Sequence, residues 1–575
     1  MMMIPTDSCI SGPHKGLIIR FWPVQAVSSQ ATAQASYRLA ALAFPSLKAM
    51  RASLRVLSTV AAAAFVAAAV PLPNSRQLEF MDLELTQFFH FSIPTFWDPP
   101  EEYLYTANPT YHNCATTTID HSNQTGSYYP CLDPVLFNPT NFSADDWMEN
   151  AAALGTREII LTAHHEGGFA LWPSNFTTYS VKLSTRWRGG QGDVLREFAD
   201  AANRWGIKIS YYLNVACDHY ATIVEKITPE EFIRRQVGMV HEVLTQYGPV
   251  NRFWFDGTTG YPADTNVTDL WERVYEEIRS VSPSTMISPY RGDICASIGT
   301  LYTSNGPVPN STDGSACQSP TETGAIFHPT EMHGITAQMG PDGNTDDVPT
   351  YWFWHNWACA RNISGCPWVG HTNASRIFDS FIWTVGHGAT LNFNCPAERT
   401  GRMNASLSAV MHVAGAALNA TFRAPPLVGV GATSVPCGTP IEIDLPGGGG
   451  QPFDYVVSME DLSFGQRVAN YSFEFMAVGG DVWEMLVPPV ISNKSASLTD
   501  RPDGKDPRDS YLGHKRIDFP IVNTSATTGA AVKVAKVRFN CIRSLEDPIY
   551  IRSIELREKQ VPWEKEWRGP PLPRE

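Results

Sequence analysis

Four side chains stand where chemistry could be done: Asp256, His90 and the adjacent pair His164 and His165. Each lies in or closes a short apolar run. Asp256 ends Arg252–Phe255, where Phe253, Trp254 and Phe255 read as a buried strand and Gly257 breaks it. His90 lies in Gln87–Ser92 (QFFHFS), and the histidine pair ends Glu158–His165 (EIILTAHH). A carboxylate at a strand tip can serve as a nucleophile or base, or it can cap the loop that follows. Neighbouring strand residues point to opposite faces. At a strand end, where pleating breaks down, both imidazoles could still donate hydrogen bonds to hydroxyl groups. His164-His165-Glu166 lacks the helical spacing of a zinc protease, so the pattern does not read as a metal site. Paired-carboxylate hydrolysis of a sugar needs a second carboxyl group about 5–5.5 Å from the first when configuration is retained. The two environments must then push the pKa values apart. Trp254, Trp352, Trp354 and Trp357 could pack on a sugar ring or simply fill the core.

Positioning these groups together requires a scaffold that brings strand tips to one place. The order along the chain supplies it. Ser143 opens a capped helix, Asp193–Trp205 reads as a helix, and Lys208–Leu213 as a strand. Thr228-Pro229-Glu230-Glu231 starts a further helix that runs to about Tyr247. Asp269–Ser280 reads as helix and Thr285–Ser288 as strand, with Asn373–Val385, Ala389–Asn394 and Met403–Leu418 restoring helix, strand and helix. Such alternation predicts parallel βαβ units. Apolar strands tipped by His90, His164, His165, Asn214 and Asp256 point to a (β/α)8 TIM-like barrel. A doubly wound sheet is the alternative, but no glycine-rich phosphate loop follows an early strand. Beyond Ala424 the pattern changes to short alternating segments, which predict a C-terminal β-sandwich domain over 424–575. The barrel is expected over 70–423.

The 575 residues carry a net charge of -14, with 43% hydrophobic and 17% charged residues. This is a globular composition, and the charge argues against nucleic acid or an anionic membrane as partner. Met50 begins a stretch with Arg51 and Arg55, an apolar Val56–Ala68 and small residues at Ala67–Ala69. It reads as a secretory signal peptide over 50–69, with 1–49 expected to be a spurious extension of the chain and Met50 the start. Twelve Asn-X-Ser/Thr sequons agree with an extracellular glycoprotein. Ten cysteines follow the signal, without zinc-site spacing. Cys437 and Cys541 could staple the C-terminal domain, and Cys114/Cys131, Cys295/Cys317 and Cys359/Cys366 are near enough in sequence for local bridges.

The residues then become recognisable. EIILTAHHEGGFALWPSNFTTYSVK at Glu158–Lys182 and RFWFDG at Arg252–Gly257 resemble the α-L-fucosidase family of retaining glycoside hydrolases. So do FFHFSIPTF at Phe88–Phe96, FNPTNFSADDW at Phe137–Trp147 and GQGDVLREFADAANRWGIKISYYL at Gly190–Leu213. The WPS…YSV and GxGDV stretches look closer to the branch acting on α-1,3/1,4-linked fucose, which includes plant apoplastic enzymes. The resemblance implies a (β/α)8 barrel with a C-terminal β-sandwich and no metal or cofactor. It implies Asp256 as nucleophile, with His90, His164 and His165 on fucose hydroxyls. Trp254 would flank the sugar, Tyr212 approach it, and Arg291 lie near the acid/base. Two departures stand out. The family's HHDG is His164-His165-Glu166-Gly167-Gly168 here, and the glutamate of a GNE- or GDE-like motif is missing from Ile294–Leu301. Glu331 in HPTEMHGI resembles the acid/base stretch of the broader branch and is taken as the acid/base, with Asp293 and Glu322 as alternatives. Glu101 and Glu102 are candidates for the family's Glu-Trp after the first strand.

The expected function is secreted, exo-acting hydrolysis of terminal α-linked L-fucose from glycans or oligosaccharides, with retention. The alternatives are a non-catalytic fucose-binding protein on the same scaffold, or a retaining barrel glycosidase for another sugar.

Overall fold

A computed structural model describes residues 70–96, 132–256, 260–288, 292–298, 306–308, 326–336, 338–339, 352–354, 370–487, 512–520 and 532–563. The expected signal, Arg291, Glu322, Glu101, Glu102 and the three expected local cysteine pairs lie wholly or partly outside these residues.

Eight parallel strands form one sheet. They are β1 Leu85–Phe89, β2 Glu158–His164, β3 Lys208–Leu213, β4 Val250–Phe255, β5 Met286–Ser288, β6 Cys295–Ile298, β7 Thr330–Thr336 and β8 Thr390–Asn394. Their order is β5-β4-β3-β2-β1-β8-β7-β6, the sequence of strands around a (β/α)8 barrel. All seven neighbouring pairs are parallel. Among the described residues no pairing joins β5 to β6, so the curled sheet is open at that seam. The sequence pattern showed most of these strands but neither β6 nor β7, which sit in a stretch rich in turn residues.

The helices that follow the strands are fixed by local chemistry. Helix α1 (Ser75–Met81) precedes β1 and carries Phe80. In α2 (Ala144–Leu154) the Ser143 hydroxyl accepts from the Asp146 amide at 3.2 Å, and Gly155 at φ +88° ends the helix. Helix α3 (Val194–Trp205) is capped by Asp193 and buries Val194, Leu195, Phe198, Ala199, Ala201 and Ala202, one apolar face against the strands. Pro229 opens α4 (Pro229–Gln246) behind its Thr228 cap. Helix α5 (Ala405–Leu418) continues to Arg423 as a stretch apolar and long enough to cross a membrane. It packs as a core helix: a Cβ at Gly415 would meet the Ala153 carbonyl of α2 at 1.9 Å, so only glycine permits the approach.

Two antiparallel sheets follow from Val428 onward, one of five strands and one of four. Their shared core includes Val456, Phe473, Val537, Phe539 and Ile554. The sequence pattern showed five of these nine strands and missed the short Val428–Val430, Thr433–Val435 and Arg516–Asp518 as well as Val468–Ala477, the longest pairing partner of Val534–Ser544. Its alternation of Tyr471, Phe473 and Phe475 with Ser472 and Glu474 was the available signal. A disulfide joins Cys437 and Cys541 as expected, Cys217 is disulfide-bonded, and Cys395 is a free, buried thiol. The sheets meet the barrel through Phe422 against Tyr455, and through Arg557, whose Nη1 donates to the Thr421 and Ala424 carbonyls at 3.0 and 2.7 Å.

At the same junction His387 is held neutral. Burial, with the charge of Arg516 adding to it, brings its pKa down from 6.5 to about 3. Below pH 6.5 the unfolded chain takes up a proton that the fold refuses. Stability therefore falls as pH drops from about 6.5 toward 3. At pH 5 the loss from this group is about 2 kcal/mol. In urea unfolding, His387→Gln should lose less stability than wild type between pH 7 and pH 5, by about that amount. Equal losses in the two proteins would contradict the assignment.

Candidate active site

The inward residues of the barrel stack in three levels. The floor holds Glu158, Ser210, Arg252 and Glu331. Phe88, Ile160, Tyr212 and Trp254 pack together above it as one buried cluster, with Trp352 against it. His90, His165, Asn394 and Asp256 lie at the strand tips.

Alternation along β4 sets this order on one strand. Arg252, Trp254 and Asp256 are two residues apart and share a face. Asp256 therefore stands about 13 Å further along the strand direction than Arg252. Its backbone amide reaches the Leu213 carbonyl of β3 at 3.4 Å, so the tip is still tied to the sheet.

Around Asp256 the geometry is specific. The Tyr212 hydroxyl donates to Asp256 Oδ2 at 3.0 Å. The Tyr212 ring is sandwiched, with Trp254 stacked on it at 5.6 Å and 11° and His165 at 5.0 Å and 12°. Such contacts hold rings in place at little cost in exposed polarity. His90 lies 5.8 Å from His165 and 5.0 Å from Trp352, ring to ring. Asn394 donates its Nδ2 to the Trp352 carbonyl at 2.9 Å, which turns its oxygen toward His90 Nδ1 at 2.7 Å. His90 Nδ1 is thus the donor, and the ring orientation is fixed. Phe353 closes the edge against both His90 and His165.

Of the residues expected from sequence, the structure gathers His90, His165, Tyr212, Trp254 and Asp256. Two lie elsewhere. His164 is fully buried behind the tip, with Nε2 3.5 Å from Asp218 Oδ2. A register shift between Thr162 and His164 breaks the strand's alternation, so His165 rather than His164 falls on the face shared by Glu158 and Ile160. Burial works against the Asp218 charge, yet His164, the Ala221 amide and Arg235 outweigh it and hold the carboxyl below its usual range. His164 thus braces the loop after β3, and an expectation that it touches the sugar directly gains no support from this placement.

Glu331 is the second residue of β7, at the end of the strand remote from the mouth. Its Oε2 lies 2.6 Å from Arg252 Nη1, a close charge contact rather than a well-aligned hydrogen bond. Oε1 accepts from Trp254 Nε1 at 2.9 Å and Asn392 Nδ2 at 3.1 Å. Arg252 also reaches Glu158 Oε1 at 2.9 Å, and the Ser210 hydroxyl donates to the same oxygen at 2.6 Å. Phe80 of α1 covers the guanidinium 4.9 Å away. Desolvation opposes the Arg252 charge, but Glu158 and Glu331 more than offset it and raise its pKa. Asp293, an alternative for the acid/base, is tied to Arg279 and the Ile287 amide at 2.9 Å each.

Sequence reasoning missed Asn394 and Phe353. Asn394 had a signal, being the polar end of an apolar strand. Phe353 had none, because nothing in its local sequence sets it apart from the neighbouring aromatics. Among the described residues no three His, Cys, Asp or Glu side chains gather in a metal-binding group. A cleft of about 710 Å³ at the junction of barrel and sheets, lined by Arg157, Trp205, Arg423 and Lys515 among others, holds none of the strand-tip groups.

A mouth of parallel strand tips that presents a carboxylate, hydrogen-bonding imidazoles and aromatic walls is the kind of site that handles a sugar. The comparisons narrow the class. The alpha-L-fucosidase family model matches residues 68–316. Alpha-L-fucosidase 1 of Arabidopsis thaliana is 29% identical over 341 residues, 58% of this chain and 57% of that protein. The match thus spans little more than half the length of that relative. Plasma alpha-L-fucosidase of Homo sapiens is 27% identical over 166 residues, 28% of this chain and 32% of that one. The crystal structure of a glycoside hydrolase 29 family member from an unknown rumen bacterium superposes with a TM-score of 0.63 at 24% identity, covering 86% of this chain and 79% of that one. The Ruminococcus gnavus GH29 fucosidase in complex with fucose gives 0.62 at 18%, covering 86% and 96%. These structures share the fold. The chain resembles the α-L-fucosidase family of glycoside hydrolases, on its plant-like side.

Proposed function

We propose that this protein is a retaining exo-α-L-fucosidase acting on terminal fucose of glycans or oligosaccharides. The observation that carries the reading is Asp256 at the tip of β4, held by the hydroxyl of Tyr212, whose ring packs against His165, Trp254 and His90. In this reading Asp256 attacks the anomeric carbon as the bond to the leaving oxygen breaks, and a second carboxyl group protonates that oxygen. Water, deprotonated by the same second group, then hydrolyses the fucosyl ester and restores both carboxyls. His90 and His165 are assigned to fucose hydroxyls and Trp254 to the apolar face of the ring. Arg291 near the second carboxyl remains part of the reading, as does secretion, which rests on the Met50–Ala69 pattern and the sequons. Of the candidates for the second carboxyl, Glu331 and Asp293 are engaged within the fold, and Glu322 is the one to substitute first.

The test is turnover of aryl α-L-fucoside beside other aryl glycosides, with the product followed by proton NMR from the first minute. The reading expects fucoside cleavage with α-L-fucose formed first. Cleavage of another glycoside alone would favour the rival barrel glycosidase. Fucose binding without turnover would favour the non-catalytic alternative, whose support is the burial of Glu331 in the floor and the missing GNE-like glutamate.

A further inference from the structure

Glu331 is a glutamate surrounded by donors. Trp254 Nε1 and Asn392 Nδ2 give hydrogen bonds to one oxygen, and the Arg252 guanidinium lies against the other. None of its surface is exposed. Each of these partners offers a hydrogen and none accepts one, so the carboxyl group is held in place as an acceptor. A general acid needs the reverse: a proton to hold, and reach to the leaving oxygen. Asp256, by contrast, stands beyond the last residue of its strand, at the opposite end of the barrel from the start of β7.

What Glu331 does touch leads back to the site. The indole N–H that it accepts belongs to Trp254. That ring lies parallel to Tyr212, and Tyr212 donates to Asp256 Oδ2. Three links therefore join the floor to the strand tip: a charge-assisted hydrogen bond, a stacked pair and a second charge-assisted hydrogen bond. Asn392 and Arg252 hold the Glu331 end rigid. The stack holds the middle, because His165 occupies the other face of Tyr212.

We propose that Glu331 is a positioning residue: it locks the Trp254 indole against Tyr212 and through them sets the orientation of the Asp256 carboxylate, and it carries no proton to or from the substrate. The proposal rests on the fucosidase reading above. It makes the barrel floor part of the catalytic geometry, and it leaves the acid/base to another carboxyl group.

Substitution separates the two roles. Glu331→Gln is assayed on aryl α-L-fucosides whose phenol pKa values span roughly 4 to 10, with and without azide. A positioning role predicts a loss of kcat/KM of about 10- to 100-fold that is the same for every leaving group. Azide gives no rescue, and the Trp254 indole N–H resonance shifts. Trp254→Phe keeps a ring in the stack but removes the N–H, so it should give the same flat loss. The double variant should be no worse than Trp254→Phe alone, because without the indole N–H the residue at 331 has no link left to weaken. If Glu331→Gln fails to fold, the flat profile of Trp254→Phe carries the test alone. A loss that steepens with phenol pKa and is reversed by azide, with fucosyl azide formed, would overturn the proposal. So would full activity in Glu331→Gln or Trp254→Phe, or additive losses in the pair. Asp256→Ala on the same substrates is the control: normal turnover there would sink the fucosidase reading itself, whatever the Glu331 profile shows.

Discussion

Asp256→Ala should lower kcat/KM for aryl α-L-fucosides by about four orders of magnitude or more, while leaving the fold intact. The argument is local. Asp256 is at the tip of β4, and its side chain takes part in site contacts rather than in core packing. Removing it deletes the atom that would bond to the anomeric carbon. The Tyr212 hydroxyl, which donates to Asp256 Oδ2 at 3.0 Å, is a far weaker nucleophile at neutral pH. The vacated space should admit azide. If so, azide restores part of the turnover and yields a fucosyl azide of inverted configuration, since only one displacement remains. Asp256→Asn should be as slow as the alanine variant, because it keeps the shape and the Tyr212 contact but loses the charge. Thermal unfolding close to wild type in both variants is the accompanying control.

The second large effect is on stability. Arg252→Met should destabilise the protein by about 3–5 kcal/mol, read as a lower urea midpoint. Arg252 and its two carboxylate partners, Glu158 and Glu331, are all completely buried. Methionine fills much of the same volume, so the loss is not chiefly a cavity. It is the cost of two carboxylates left in the floor without their shared cation. Replacing all three by apolar residues should recover most of the stability, since a buried ion cluster and a packed apolar one are often near equal. Activity should not recover with it, because Glu331 is then missing and the Trp254 indole has lost its acceptor. A triple variant both stable and fully active would contradict the link between floor and site.

The sequence made the scaffold legible for a physical reason. Strands buried on both faces are written as apolar runs, and a barrel gathers their polar tips at one mouth. Asp256, His90 and His165 were therefore visible before any geometry was known. His164 was not distinguishable from His165, because whether pleating breaks at a strand end depends on the loop that follows; here Asp218 of the next loop takes His164 away. Glu331 shows a different limit. HPTEMHGI offers a carboxylate at a plausible distance along the chain, but nothing in it marks which end of the strand is near. The pairing of Glu331 with Thr390, at the start of β8, puts it at the far end. Phe353 came from a segment whose own sequence has no periodic pattern, so only tertiary packing against His90 and His165 reveals it. In the second domain, Val468–Ala477 was readable by its alternation, yet its register shifts three times against Val534–Ser544, which blurs the period.

The most direct test of the account is covalent trapping. A 2-deoxy-2-fluoro-L-fucosyl fluoride carries a good leaving group, and its fluorine slows both displacements, hydrolysis of the ester included. Incubated with the protein and followed by peptide mass analysis, it should inactivate the enzyme and leave one deoxyfluorofucosyl group on the peptide containing Asp256. A label on another carboxylate, or inactivation-free turnover with β-L-fucose as first product, would contradict the assignment of Asp256 as the nucleophile.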